Sequence, residues 1–352
     1  MINFDTLKIQ FIVDELIDFK NVDYLRELID SKTNRRTYEL NGLPIAGIVS
    51  FKAIQDVDAI TDEYLETRVT IELSAKTLGK LYLEGINIDT HYNCWDYINF
   101  HLFNSQLENH YFENATVLRA DSFVNIQLTQ EERNSLYSSL VQTPFDKAYK
   151  HHIEGTAKAG RTFYIQSKQA QLKIYEKELE LKLAKNRNIR SLLTQDITGL
   201  TRIELRLTNF DAIRQYMGIK PKGNVLVHEL LNAKGTPIST YLMQVMKTKN
   251  KQIDAKTTDE QLVKFVLELK NYQTKQVRLY FLSLENVDQQ KYQKRWKPII
   301  DNLLRERVKN STSFQKLAKE IEQIEWNVEI PEWNVELPEW NVEIPEWELV
   351  EV

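Results

Sequence analysis

Leu172-Lys173-Ile174-Tyr175-Glu176-Lys177 is the stretch on which the reading of this chain turns. Leu172 and Ile174 alternate with Lys173, Tyr175 and Lys177, the period of two expected of a strand with one buried and one polar face. Three other stretches alternate in the same way. In 68–74, Val69, Ile71 and Leu73 form the apolar side and leave Glu72 opposite. In 117–128 the even positions Leu118, Ala120, Val124, Ile126 and Leu128 are apolar, so Arg119, Asp121 and Asn125 share the other side. In 202–207, Ile203, Leu205 and Leu207 face inward, with Arg202, Glu204 and Arg206 opposite.

Helical signals lie between these strands. Thr129-Gln-Glu-Glu132 has the form of a capping box opening a helix to about Val141. Residues 95–107 and 211–217 read as helices, the second stopped by Gly218, and longer amphipathic segments follow at 259–271 and 289–308. The expected fold is α+β: an antiparallel sheet with helices on one face and a polar, catalytic face open on the other. The expected divisions are a catalytic domain over 1–219, a mostly helical DNA-binding or accessory region over 220–319, and an acidic tail over 320–352.

The tail is legible as a repeat. From Glu325 it reads EWNVEIP, EWNVELP, EWNVEIP, EWELVEV, with Trp326, Trp333, Trp340 and Trp347 seven residues apart. Pro331, Pro338 and Pro345 exclude a coiled coil, because each removes a backbone donor and clashes with the preceding turn. An odd period also flips faces in an extended chain, so no single strand buries all four indoles. An extended, disordered acidic–aromatic segment is expected.

That tail distorts the overall charge of −4. Residues 320–352 hold eleven Glu and no Lys or Arg; the remainder has 46 basic and 39 acidic side chains, or +7. A modestly basic body fits a polyanionic partner. No apolar run reaches the roughly 18 residues of a membrane span, and 1–10 lacks a secretory h-region, so no membrane partner is expected. Cys94 is the only cysteine, which excludes disulfides within the chain and suits a reducing cytosol.

Glu72, Asp121, Tyr175 and Glu204 thus lie on polar strand faces. Carboxylates of this kind suit Mg²⁺ or Mn²⁺, which would polarise a phosphodiester while a tyrosine oxygen attacks. Lys177 would neutralise the phosphate or assist the phenol, and Arg119, Arg202, Arg206 and Lys173 would grip the nucleic-acid backbone. Each residue alone has a plainer reading, since exposed strand faces are ordinarily charged and alternation does not prove that strands are neighbours. The histidines add little: His151 and His152 are adjacent, and His91, His101, His110 and His228 show no ligand spacing. No phosphate-binding loop, zinc spacing or Gly-x-Ser-x-Gly elbow is present.

The segment Thr162-Phe-Tyr-Ile-Gln-Ser-Lys168, then Leu172 through Glu180, followed by Thr201-Arg-Ile-Glu-Leu-Arg-Leu207 and the helix 209–218, resembles the signature of rolling-circle replication initiators. The likeness is to the phage and plasmid family typified by the gene II protein of filamentous phages. Met1-Ile-Asn-Phe-Asp5-Thr-Leu-Lys-Ile9 resembles that family's first strand, Val69–Leu78 its second block, and Leu118-Arg-Ala-Asp121 its Arg-hydrophobic-Asp strand. Glu176 stands where Asp is commoner, Gln166-Ser167 where plasmid relatives often have Gly-Ser, and the acidic repeats lie outside the pattern.

The resemblance implies an endonuclease that nicks a double-stranded origin and becomes joined to the 5′ phosphate through Tyr175. Asp121 and Glu204 would serve a Mg²⁺ or Mn²⁺ site, with Glu72 beside them in an ambiguous register and Lys177 at the phosphate. It leaves open whether Tyr164 or Tyr149 takes part in a second transfer. Expected partners are origin DNA and, through the tail, a host helicase, polymerase or single-strand-binding protein in a bacterial cytoplasm. Lys247, Lys249, Lys251, Lys291, Lys294, Arg295 and Lys297 are candidates for duplex contacts, with a solvated helix face as the plain reading. Rival readings are a non-catalytic DNA- or RNA-binding regulator using the same polar face, a tyrosine recombinase, whose spread Arg and His set is missing, and a packaging protein. The tail could mimic single-stranded DNA and restrain nicking, recruit a partner, or be inert.

Overall fold

The computed structural model describes residues 1–326 apart from 21, 31–32, 34, 43–44, 58–63, 146–147, 157–159, 221–222, 247–257 and 285–286. The repeats after Trp326, and Lys247, Lys249 and Lys251, lie outside the described residues.

The described strands form one antiparallel sheet of ten: β1 Asn3–Val13, β2 Leu25–Ile29, β3 Arg36–Leu40, β4 Ile48–Val57, β5 Tyr64–Ser74, β6 Thr116–Gln127, β7 Lys150–Thr156, β8 Gly160–Gln166, β9 Ala170–Glu176 and β10 Leu200–Leu207. Their order is β2-β3-β4-β5-β1-β6-β10-β9-β8-β7. Outward from the central β1–β6 pair, the two sides run 5-4-3-2 and 10-9-8-7. Each half is therefore one central strand followed by a four-stranded meander whose last strand returns beside it.

One face is apolar and covered by helices. Phe11, Val69, Ile71, Leu73, Ala120, Ile203, Leu205, Leu172 and Ile174 are buried there. Trp95 of helix His91–Phe103 meets Phe11 edge-on at 6.0 Å, and Tyr241 of helix Pro237–Val245 donates to the Ile165 carbonyl at 3.3 Å. Helix Thr312–Trp326 returns across β6, burying Leu317 and Ile321. The expected capping box is present: Glu132 N donates to Thr129 Oγ1 and Thr129 N to the Glu132 carboxylate, opening helix Gln130–Gln142. Helix Phe210–Met217 ends at Gly218, whose φ of 69° is the left-handed cap that glycine adopts without a Cβ clash.

The strict alternation read for 117–128 needs correction. The β1–β6 register shifts between Lys8 and Ile9, so Val117 and Ala120 are both buried and Leu118 stays outside the core. The extra residue of such a bulge reverses the side-chain phase on one side of it.

The expected divisions are also redrawn. Val227, Leu230, Ile238 and Tyr241 belong to the main core, so a boundary at 219/220 falls inside it. A separate apolar cluster comprises Val263, Val266, Leu267, Val277, Phe281, Trp296, Ile300 and Leu304. It is built by helices Thr258–Leu269 and Thr274–Leu282 and the rod from Gln289 to Lys309, which widens to a π-helix over Tyr292–Trp296. The segment assigned to the tail begins as helix as far as Trp326. Glu325 there is buried and accepts from Ile238 N at 2.7 Å and Ser239 N at 3.0 Å, satisfying the first turn of helix Pro237–Val245. No helix among the described residues is long and apolar enough to cross a membrane.

Candidate active site on the polar face of the sheet

Adjacent strands β5, β1, β6, β10 and β9 bring the expected site residues onto one face. In antiparallel register Tyr175 lies opposite Arg202, Lys173 opposite Glu204, Arg206 opposite Asp121, and Lys8 opposite both Arg119 and Glu72. Directly opposed residues share a face, so the charged positions form a continuous strip.

Within the strip they divide into two groups. Around Tyr175, the phenol donates to Glu204 Oε2 at 3.3 Å and accepts from Lys177 Nζ at 3.3 Å. Glu204 also accepts from Lys173 Nζ at 2.8 Å. In the second group Arg119 binds Glu72 at 2.6 Å and grips Asp121 through two nitrogens, and Arg206 reaches Asp121 at 3.2 Å.

Lys177 does not continue β9. It opens the short helix Lys177–Lys182, which packs against β10, and the residue is only 1% exposed. With the turn Ala75–Leu81 and helix Arg187–Leu192, that helix covers one end of the polar face. Gly85 allows the covering loop to approach, since a Cβ there would stand 2.4 Å from the Phe123 ring.

Arg202 does not offer a free guanidinium for nucleic acid. It is 0% exposed, pairs with Asp5, donates to Asn125 at 2.9 Å and lies 3.8 Å over the Phe123 ring. Arg119, Arg206 and Lys173 remain partly exposed, each committed to a carboxylate. In the helical cluster Arg295 makes two 2.7 Å bonds to Asp259, and Lys297 pairs with Asp301.

Sequence reasoning missed Asp5, Tyr82 and Glu180. Asp5 sits at a register shift between Phe4 and Thr6 that turns its carboxylate toward Arg202. A signal was present: the apolar phase passes from even Phe4 to odd Leu7, Ile9 and Phe11, which implies a bulge between them. Tyr82 and Glu180 come from covering elements, where strand periodicity is silent.

Burial dominates the electrostatics. It drives the Tyr175 phenol well above its usual range, with Glu204 adding to the effect. It raises Glu204 too, reinforced by Asp5. Burial works to raise Asp5 as well, but Arg202 and Lys177 outweigh it and the carboxyl is lowered. Lys177 is lowered to about 8 by burial and by Arg202. The resting phenol is therefore protonated, between a carboxylate of increased basicity and a lysine of reduced basicity.

The fit to a divalent ion is poor as the side chains stand. Among the described residues no three His, Cys, Asp or Glu groups come together as ligands. Glu72 and Asp121 converge on Arg119, and Glu204 is held by Lys173, so an ion would have to displace a cation already bound.

Of the other tyrosines, Tyr164 lies on β8 opposite Lys173 with its ring stacked on His152 at 4.7 Å. Tyr149 packs edge-on against Tyr241 of the main core. His91 is buried, with Nδ1 2.8 Å from the Ile88 carbonyl.

No protein-family model matches the chain, and no curated protein matches it. Among solved structures, the di-domain aromatase/cyclase BexL from the BE-7585A biosynthetic pathway aligns at 8% identity and TM-score 0.15, over 63% of this chain and 74% of that one. The di-domain aromatase/cyclase StfQ from the steffimycin pathway aligns at 12% identity and TM-score 0.17, over 63% and 72%.

Proposed function

We propose that this chain is a replication initiator that nicks origin DNA of a phage or plasmid through Tyr175 and rejoins the displaced strand. The observation that carries the reading is the double hydrogen bonding of one phenol. The Tyr175 oxygen faces both an acceptor, Glu204, and a donor, Lys177, each at 3.3 Å. A phenol needs a base as it attacks and positive charge for the oxyanion that develops.

In the proposed step the Tyr175 oxygen forms a bond to phosphorus while its proton passes to Glu204. The phosphorus–3′-oxygen bond breaks, and the leaving oxygen takes a proton from water to become a free 3′ hydroxyl, with Glu204 returning its proton to solvent. The 5′ phosphate stays on Tyr175 as a phosphodiester. Reversal by an incoming 3′ hydroxyl restores the strand with no further energy source. Lys177, which bonds the phenol, and Arg202, opposite Tyr175 on β10, are the cations beside the attacking oxygen. Mg²⁺ or Mn²⁺ would add Lewis-acid polarisation, with Asp121 and Glu72 as the carboxylates Arg119 would have to release.

The test is incubation of purified protein with the supercoiled replicon that carries its gene, in Mg²⁺, Mn²⁺ or chelator, followed by a denaturing gel. A nicked circle with protein attached, absent for Tyr175→Phe, is the expected result. Binding without cleavage would favour a non-catalytic DNA- or RNA-binding regulator, a reading that the neutral resting phenol and the ion-paired carboxylates suit. A helicase, polymerase or single-strand-binding partner for residues 327–352 belongs to the same proposal.

A further inference from the structure

Lys177 is a buried ammonium with three donors, and three acceptors surround it. Its Nζ donates to Tyr175 Oη at 3.3 Å and to Tyr82 Oη at 2.5 Å, and lies 2.7 Å from Glu180 Oε2. Tyr82 comes from a different part of the chain, just after the turn Ala75–Leu81, and is 1% exposed. Its ring also lies 4.8 Å from the same ammonium and 5.3 Å from the Arg202 guanidinium. Burial, with Asp5 next, holds its hydroxyl neutral far above ordinary pH, so its oxygen stays an acceptor for Lys177. Glu180 is itself fixed by Asn186, which takes Lys76 Nζ at 2.9 Å, so the covering elements are cross-tied above the amine.

We infer that Tyr82 is a positioning residue of this site, whose hydroxyl holds the Lys177 ammonium against the phenol of Tyr175. The inference rests on the proposed reaction for its consequence, but not for its geometry. Without the hydroxyl, Lys177 keeps Glu180 and loses the acceptor that draws it to Tyr175. The groups facing the amine are Asp5, Arg202, Glu180, Tyr82 and Tyr175.

The test compares full-length wild type with Tyr82→Phe, which keeps the ring and removes the oxygen. Single-turnover formation of the covalent DNA adduct should fall about tenfold to a hundredfold, with DNA affinity within about twofold. The alkaline limb of the rate should move to lower pH, because the ammonium has lost an acceptor. Nitrogen-15 NMR of the lysine Nζ groups, assigned with Lys177→Arg, gives a readout independent of activity. Wild type should show one slowly exchanging ammonium at Lys177 with contacts to both tyrosine rings, lost in Tyr82→Phe.

An unchanged rate, pH limb and Lys177 signal in a folded variant would overturn the inference. If Tyr82→Phe does not fold, the wild-type spectrum decides: a rapidly exchanging Lys177 ammonium without ring contacts overturns it, and a protected one supports it. If wild type forms no adduct, the reaction is wrong, and the NMR result still judges the geometry.

Discussion

The two halves of the sheet use the same short phrase to different ends. β5 carries Thr70-Ile71-Glu72-Leu73 and β10 carries Arg202-Ile203-Glu204-Leu205, and each strand lies beside the central strand of its half. In both, Ile and Leu enter the core and Glu stands on the polar face. The neighbours decide the rest. Opposite Glu72 on β4 is Ser50, and opposite Thr70 is Lys52. Opposite Glu204 on β9 is Lys173, and opposite Arg202 is Tyr175. One half thus frames a phenol between acid and base, while the other presents a glutamate bound to one arginine. The equivalence of scaffold isolates what the proposed reaction would need: a reactive group on the adjacent strand and a lid that dries it.

Equivalent substitutions in the two halves should break that comparison most sharply. Glu204→Gln should lower adduct formation by about 10²–10⁴, the range for a lost general base, measured in single turnover. Glu72→Gln should cost no more than about tenfold, since Glu72 touches Arg119 and not the phenol. Similar losses from both would mean that the glutamates act as one set, as a shared metal site would require.

Stability should show the same asymmetry. Asp5→Asn leaves the fully buried Arg202 without its carboxylate and should cost about 3–5 kcal/mol in denaturant unfolding. Lys52→Met, at an exposed 3.8 Å pair with Glu39, should cost under about 1 kcal/mol.

The pH dependence is a smaller effect with a definite sign. Because Lys177 is lowered to about 8, its ammonium is lost as pH rises through about 8, and adduct formation should decline there. The unfolded chain binds the extra proton between about 8 and the ordinary lysine value, so stability linked to this group rises with pH across that window. Lys177→Arg should remove both trends. Smallest of all, a chain ending after Trp326 keeps the Glu325 cap and should bind single-stranded DNA more tightly if the repeats compete for the basic body. Unchanged affinity and unchanged partner binding would dismiss the tail from either role.

Strand identity was legible because a half-buried sheet enforces a period of two, and Tyr175, Glu204, Asp121 and Glu72 stood out on its polar side. Helix ends at Thr129 and Gly218 were legible because caps are local chemistry. Strand order was not, since alternation carries no information on neighbours. Bulges at Asp5 and beside Leu118 shift the phase by one residue and escaped a strict count. The fate of Arg202 escaped too: its burial comes from Asp5, Phe123 and Tyr82, distant in sequence, and a charged strand residue looks exposed until such a lid is known.

The central claim is that one phenol joins to DNA. Its most direct test is mass spectrometry of the protein after reaction with the replicon, nuclease trimming and trypsin digestion. The account predicts a nucleotide phosphate on the peptide Ile174-Tyr175-Glu176-Lys177. Cleavage with no adduct there, or an adduct on Tyr164 instead, would contradict it.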